Sequence, residues 1–254
     1  MRLNTYSWGH GDGSPIACVH GVAGHAEIFR KLAEDTLADR PVLAMDLRGH
    51  GRSGWLPPWN LETHVGDLAE TAAVHAIDRA TWIGFSFGGR LVAELALAEP
   101  RLVSRLVLLE PVLHLPPHDG LEAAERERHE ETYATADDAV EALAAAIGFP
   151  TPRAYLEEEA REHLTEAADG RLRFRYSPSA AVAAWGEMTR PPMPPADVPT
   201  LIVVGTRSWV PIEADLERYR AVLGDQLKVE RLPSQHWLLW NAFPATARAV
   251  RAFA

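Results

Sequence analysis

The chain predicts an α/β fold: a mostly parallel central sheet flanked by helices, with a helical segment inserted before the last strands. Three observations carry this. Apolar, β-rich runs alternate with helical patterns, as happens when helices cover both faces of a parallel sheet. A serine between two glycines, Gly84-Phe85-Ser86-Phe87-Gly88, sits where one such run gives way to a helical pattern. The alternation then breaks after Pro111 and resumes only after the proline-dense Pro191-Pro192-Met193-Pro194-Pro195. A length of 254 residues suits one such domain with an insertion and a sizeable core.

In order along the chain, a short opening strand is expected at residues 3–8, turning back as a hairpin through His10-Gly11-Asp12-Gly13-Ser14-Pro15. Core strands follow at residues 16–20, 42–46, 81–85, 105–109, 200–204 and 228–232, where the runs are apolar and rich in β-formers. Helical patterns fall at residues 27–38, 61–77, 89–99, 212–223 and 245–253. Between the two groups of strands no buried strand is found. Acidic helices are expected there, at residues 121–132, 137–147, 152–165 and 179–187. The organisation is therefore a core of residues 1–111 and 198–254, with residues 112–197 as an inserted helical cap.

Composition narrows the function classes. Hydrophobic residues make up 47% and charged residues 24%, as in ordinary soluble globular domains. The formal net charge of −10, with no concentration of basic residues, argues against a nucleic-acid or anionic-membrane partner. The N-terminal residues Met1 to Trp8 lack an apolar signal core, and no run of about 18 apolar residues occurs. A cytoplasmic location is expected. Cys18, the only cysteine, excludes an internal disulfide and reads as a small buried hydrophobe. No phosphate loop, dinucleotide fingerprint, zinc-ligand spacing or EF-hand is present, so neither cofactor nor metal is implied.

The chemistry is carried by strand ends. Ser86 lies in a strand-to-helix turn so tight that the flanking glycines are needed to avoid crowding, which lifts its hydroxyl out of the sheet. The backbone N–H of Phe87 then sits at the positive end of the new helix, where an oxyanion is stabilised. A serine hydroxyl needs a general base to become a nucleophile. His236, in Ser234-Gln235-His236-Trp237 after the last expected strand, takes that role, whereas His25, His50, His64 and His75 have no triad placement.

Four motifs in order, His20-Gly21-Val22-Ala23-Gly24, Asp46-Leu47-Arg48-Gly49-His50-Gly51-Arg52-Ser53, the serine elbow and the His236 segment, resemble the α/β-hydrolase superfamily. The resemblance is to its capped esterase and haloalkane-dehalogenase-like branch, and it spans nearly the whole chain outside the cap. It implies an oxyanion hole from the amides of Val22 and Phe87, a loop shaped by His20, and a mostly structural turn at Arg48, His50 and Arg52. The usual acid of that family, an aspartate after the strand at residues 200–204, is absent: Ser208 stands there. The fold's second solution is an acid at the end of the preceding strand, and Glu110 occupies it. Dehalogenases place a glutamate there too, but their nucleophile is aspartate. A serine with a histidine base suits acyl transfer instead. Glu213, Asp215 and Asp197 are poorer placed as the acid. Phe85, Trp185, Trp209 and Trp237 are candidates for an apolar substrate pocket. The cap's Phe149, Tyr155, Phe174, Tyr176 and Met188 are expected to face the site's mouth. The expected function is serine hydrolysis of a small or medium, largely uncharged ester or lactone by a Ser86–His236–Glu110 triad. C–C bond or amide hydrolysis on the same triad, or small-molecule binding without catalysis, are the alternatives.

Overall fold

The apolar runs pair into a seven-stranded sheet in the computed structural model, which describes all 254 residues. In chain order the strands are β1 (Thr5–Trp8), β2 (Ile16–Val19), β3 (Val42–Met45), β4 (Ala80–Phe85), β5 (Val103–Leu109), the short pair β6 (Leu164–Glu166) and β7 (Leu172–Phe174), β8 (Thr200–Gly205) and β9 (Leu227–Leu232). The sheet runs β1-β3-β2-β4-β5-β8-β9, parallel throughout except for β1. The helices are α1 (Arg30–Thr36), α2 (Leu61–Val74), α3 (Phe87–Ala98), α4 (Pro117–Glu127), α5 (Ala136–Ile147), α6 (Arg153–His163), α7 (Pro178–Glu187), α8 (Glu213–Leu223), α9 (Leu238–Asn241) and α10 (Phe243–Phe253). None is long and apolar enough to cross a membrane.

The central strands read as unbroken apolar runs because both faces of the sheet are covered. Alternate residues point opposite ways. Ala17, Val19, Trp82, Leu106, Leu108 and Ile202 pack on one side with Leu68 of α2, Leu91 of α3 and Leu216 of α8. Ile16, Cys18, Ile83, Val107, Leu109 and Val203 pack on the other with Leu32 of α1 and Val250 of α10. Cys18 is fully enclosed, and burial raises its thiol pKa, so it is the inert hydrophobe expected.

Several expectations need correction. The opening strand does not form a hairpin with β2. It pairs antiparallel with β3, Thr5 opposite Met45 and Trp8 opposite Val42. The glycine-rich stretch after it crosses the chain near residue 39 instead of turning tightly. His10 N–H donates to Ala38 O at 2.9 Å, and a Cβ at Gly11 would meet Asp39 O at 2.0 Å. The second correction is in the insertion, which holds the β6–β7 hairpin besides its helices. These strands are half-exposed and only three residues long, too short to show a period-2 pattern. The expected helix at residues 27–38 is split into a 3₁₀ turn, Ala26–Phe29, and α1. The helical turn α9 was not foreseen.

Between β5 and β8 the helices pack in two pairs, α4 with α7 and α5 with α6. Helix α5 starts with a capping box: Thr135 Oγ1 accepts from Asp138 N–H and the Asp138 carboxylate from Thr135 N–H. It stops at Gly148, which takes the left-handed conformation at φ 62°. The insertion is stitched to the loop after β3, where Gly51 N–H donates to Arg175 O at 2.8 Å and Ser177 N–H to Gly49 O at 2.7 Å.

Candidate functional site

Strand β4 is buried along its whole length and delivers Ser86 directly to the start of α3. Ser86 has φ 55°, an uncommon conformation for any residue but glycine. The backbone hydrogen bonds hold it there: its N–H donates to Leu109 O at 3.0 Å, and its C=O accepts from Gly89 and Val112 N–H at 2.9 and 3.1 Å. The flanking glycines are sterically required. A Cβ on Gly84 would lie 2.4 Å from Gly88 O, and one on Gly88 would lie 2.2 Å from Val19 O. The Ser86 hydroxyl has no protein hydrogen-bond partner, and Gly21 is so close that a Cβ there would sit 3.2 Å from Ser86 Oγ.

Two backbone donors near Ser86 in the chain or beside it have no acceptor in the protein. Phe87 is the first residue of α3, so its N–H has no intrahelical acceptor. Val22 N–H also has no acceptor in the protein, and it follows Gly21 directly. Its loop is braced by two buried histidines. His20 Nδ1–H donates to Gly21 O at 2.7 Å while its Nε2 accepts from Leu47 N–H at 2.9 Å. His50 Nε2 accepts from Ala23 N–H at 3.1 Å and its Nδ1–H donates to Arg48 O at 3.1 Å. Both rings must be neutral to do this. Burial agrees, lowering the His20 pKa to about 3 and pushing His50 well below the usual histidine value. Asp46 holds the same region from below, accepting from the N–H groups of Ala26 and Arg52. The bracing roles of His50 and Asp46 connect loops far apart in sequence, so no local pattern announces them.

At the end of β5, Glu110 has φ 47° and is 1% exposed. Its Oε2 lies 3.1 Å from His236 Nδ1. Its Oε1 accepts from Gly205 N–H, and Oε2 also accepts from the Ser208 hydroxyl. Ser208, the residue at the usual aspartate position, is thus still in the site, as a donor to the acid next door. Asp215 is instead tied to Arg218, Glu213 to Arg231 and Asp197 to Gln226, so none of the three approaches His236.

Aromatic rings surround His236. Phe85, Trp209 and Trp237 have ring centroids 5.0, 5.3 and 5.9 Å from it, and Trp185 on α7 lies 6.1 Å from Trp209. Three of the four candidate pocket residues therefore gather on the histidine, and Trp185 of the insertion reaches them through Trp209. Ser86 and His236 are 4% and 8% exposed, so the site is nearly closed to solvent. Phe149, Tyr155, Phe174, Tyr176 and Met188 lie elsewhere than around His236: Met188 packs in the core on the α2, α3 and α8 side, Phe149 and Tyr155 flank the other, Phe174 meets Tyr133 edge to face and Tyr176 stacks on His50.

The pattern of the alpha/beta hydrolase fold family matches residues 14–144. Lipase LipV of Mycobacterium tuberculosis is 31% identical over 209 residues, covering 82% of this chain and 80% of its own. Esterase YbfF of Escherichia coli is 32% identical over 254 residues, covering 94% and 92%. Among solved structures, E-2-(acetamidomethylene)succinate hydrolase superposes with a TM-score of 0.86 at 23% identity, over 99% of this chain and 94% of that one. A family pattern over residues 14–144 and relatives matched along most of their length, on a chain with a serine elbow at φ 55°, lead to one conclusion: the chain belongs to the α/β-hydrolase-fold family.

Proposed function

We propose that this hydrolase cleaves a small or medium, largely uncharged carboxylic ester or lactone through an acyl-enzyme on Ser86. The observation that carries the reading is the contact of buried Glu110 with His236 Nδ1, beside a serine held in a strained elbow. With Glu110 accepting from Nδ1–H, the lone pair stays on Nε2, the nitrogen that takes the serine proton. Ser86 Oγ attacks the carbonyl as His236 removes its proton. The N–H groups of Val22 and Phe87 receive the oxyanion, a contribution of about 3–4 kcal/mol for each donor in comparable sites. His236 then gives the proton to the leaving alkoxide, which departs as alcohol. Water repeats the sequence: His236 takes its proton, hydroxide adds to the acyl carbon, and the carboxylic acid leaves as Ser86 Oγ recovers the proton. Glu110 stays ionised throughout and stabilises the imidazolium.

The names of the relatives, lipase and esterase, support ester chemistry, and the aromatic rings around His236 favour an apolar acyl or alcohol group. Residues 112–197 act as the cap in this reading, since Trp185 of α7 meets Trp209 over the histidine. The decisive experiment is intact mass after exposure to a fluorophosphonate. One adduct is expected on the wild type and none on Ser86→Ala. A folded wild type that takes no adduct, while a control esterase does, would sink the acyl-enzyme reading in favour of ligand binding without catalysis.

A further inference from the structure

Away from Ser86, the fold gathers three side chains that are distant in sequence. His25 ends the loop after β2, while Glu159 and His163 stand one turn apart on α6. His25 Nε2 lies 2.8 Å from Glu159 Oε2, and His163 Nδ1 lies 3.1 Å from Glu159 Oε1. The two imidazole rings face each other with centroids 4.1 Å apart. One donor atom from each residue lies within 4.8 Å of one from each of the others. Both histidines are buried, 5% and 2% exposed.

The hydrogen-bond arithmetic at His163 does not close. Its Nε2 faces the carbonyl of Arg175 at 3.3 Å and its Nδ1 faces the Glu159 carboxylate. Both partners are acceptors, but a neutral imidazole carries a single N–H. Protonating it fully would supply both donors, at the cost of a buried imidazolium 4.1 Å from the His25 ring that shares its carboxylate. A cation between Nδ1 and the carboxylate removes the shortage. The proton then stays on Nε2 and donates to the Arg175 carbonyl, the outer hydrogen bond by which ligating histidines are usually oriented. A cleft that reaches His25 and Glu159 opens the cluster to solvent; its lining includes Glu27, Glu158 and Glu162 together with Arg30 and Lys31, so it carries charge of both signs.

We propose that His25, Glu159 and His163 form a binding site for a divalent transition metal, with Zn²⁺ the best-matched ion. Two imidazoles and one carboxylate suit zinc better than calcium or magnesium, which prefer all-oxygen sites. Zinc bonds of about 2.0–2.1 Å in a tetrahedron place neighbouring donors roughly 3.3 Å apart, so the two short approaches open by a few tenths of an ångström. The cleft leaves the fourth position to water. The role is structural: the ion joins α6 to the loop that presents Val22, and the site is separate from the chemistry on Ser86.

The test uses the full chain, stripped with chelator and titrated calorimetrically with zinc chloride. One ion per chain is expected, together with a higher melting temperature. Glu159→Gln and His163→Ala should each weaken binding at least about tenfold. X-ray absorption on the zinc-loaded wild type should show two imidazole nitrogens and a carboxylate oxygen at about 2.0–2.1 Å, which decides the matter even if a variant fails to fold. No stoichiometric uptake, or uptake unchanged in both variants, or a zinc shell without two imidazoles, would overturn the site. None of these readouts depends on ester hydrolysis.

Discussion

In the proposed mechanism Glu110 is the residue on which the chemistry turns, and three donors converge on its carboxylate: Gly205 N–H, Ser208 Oγ–H and His236. Glu110→Gln keeps the shape but can place an amide NH₂ against His236 Nδ1, a donor against a donor, and the imidazole then settles in the wrong tautomer. The expected result is a fall in kcat of roughly 10³–10⁴-fold in a protein that still folds, with KM little changed. Steady-state kinetics on a nitrophenyl ester, alongside circular dichroism, would check it. A kcat within tenfold of wild type would remove Glu110 from the triad. The contact of Glu110 with His236 was legible in the sequence, because Ser208 stands where the family's aspartate is commonest and so sends the search to the neighbouring strand end. That Ser208 donates to Glu110 was not legible, since the two are 98 residues apart. The same holds for His25, Glu159 and His163, where 134 residues separate the first pair and no metal spacing exists along the chain.

Helix α3 does more than follow Ser86. Its Arg90 is 2% exposed and bonds to Glu94, to the carbonyl of Leu113 and to that of Pro191, the last at 3.2 Å. Leu113 lies where the chain leaves the sheet for the insertion and Pro191 where it returns, so one guanidinium clasps both ends. Arg90→Met fills similar volume but leaves two carbonyls without this donor and Glu94 unpaired. Buried pairs broken from one side cost about 3–5 kcal/mol, and Glu94 keeps some solvent, so about 3 kcal/mol is expected in urea unfolding. A loss under 1 kcal/mol would show that the clasp contributes little. At this scale the sequence was most readable where strands are buried on both faces, because β2, β4 and β8 are unbroken apolar runs. It was least readable at β1, whose partner depends on how a glycine-rich loop crosses the chain, and at β6 and β7. Their three residues, Leu164–Glu166 and Leu172–Phe174, carry as much polar as apolar character.

For the whole molecule, buried neutral histidines make stability depend on pH. Burial lowers the pKa of His20 to about 3 and that of His64 to about 4, against 6.5 for the unfolded side chain. The unfolded state therefore binds more protons below pH 6.5. The stabilisation from these groups is complete above that value and is lost as pH falls toward the folded values. At pH 5 each should subtract on the order of 2 kcal/mol. His25, whose pairing with Glu159 outweighs burial and raises its pKa, acts in the opposite sense. Urea unfolding at pH 7 and pH 5 should show the net loss, and equal stabilities would contradict it. A different consequence follows from how the insertion is seated. Val140, Ile147, Leu156 and Ala160 of α5 and α6 belong to the apolar cluster on one side of the sheet, while Ala184 and Met188, at α7 and just after it, belong to the cluster on the other. Such a structure cannot lift like a trapdoor without tearing two separate seals at once.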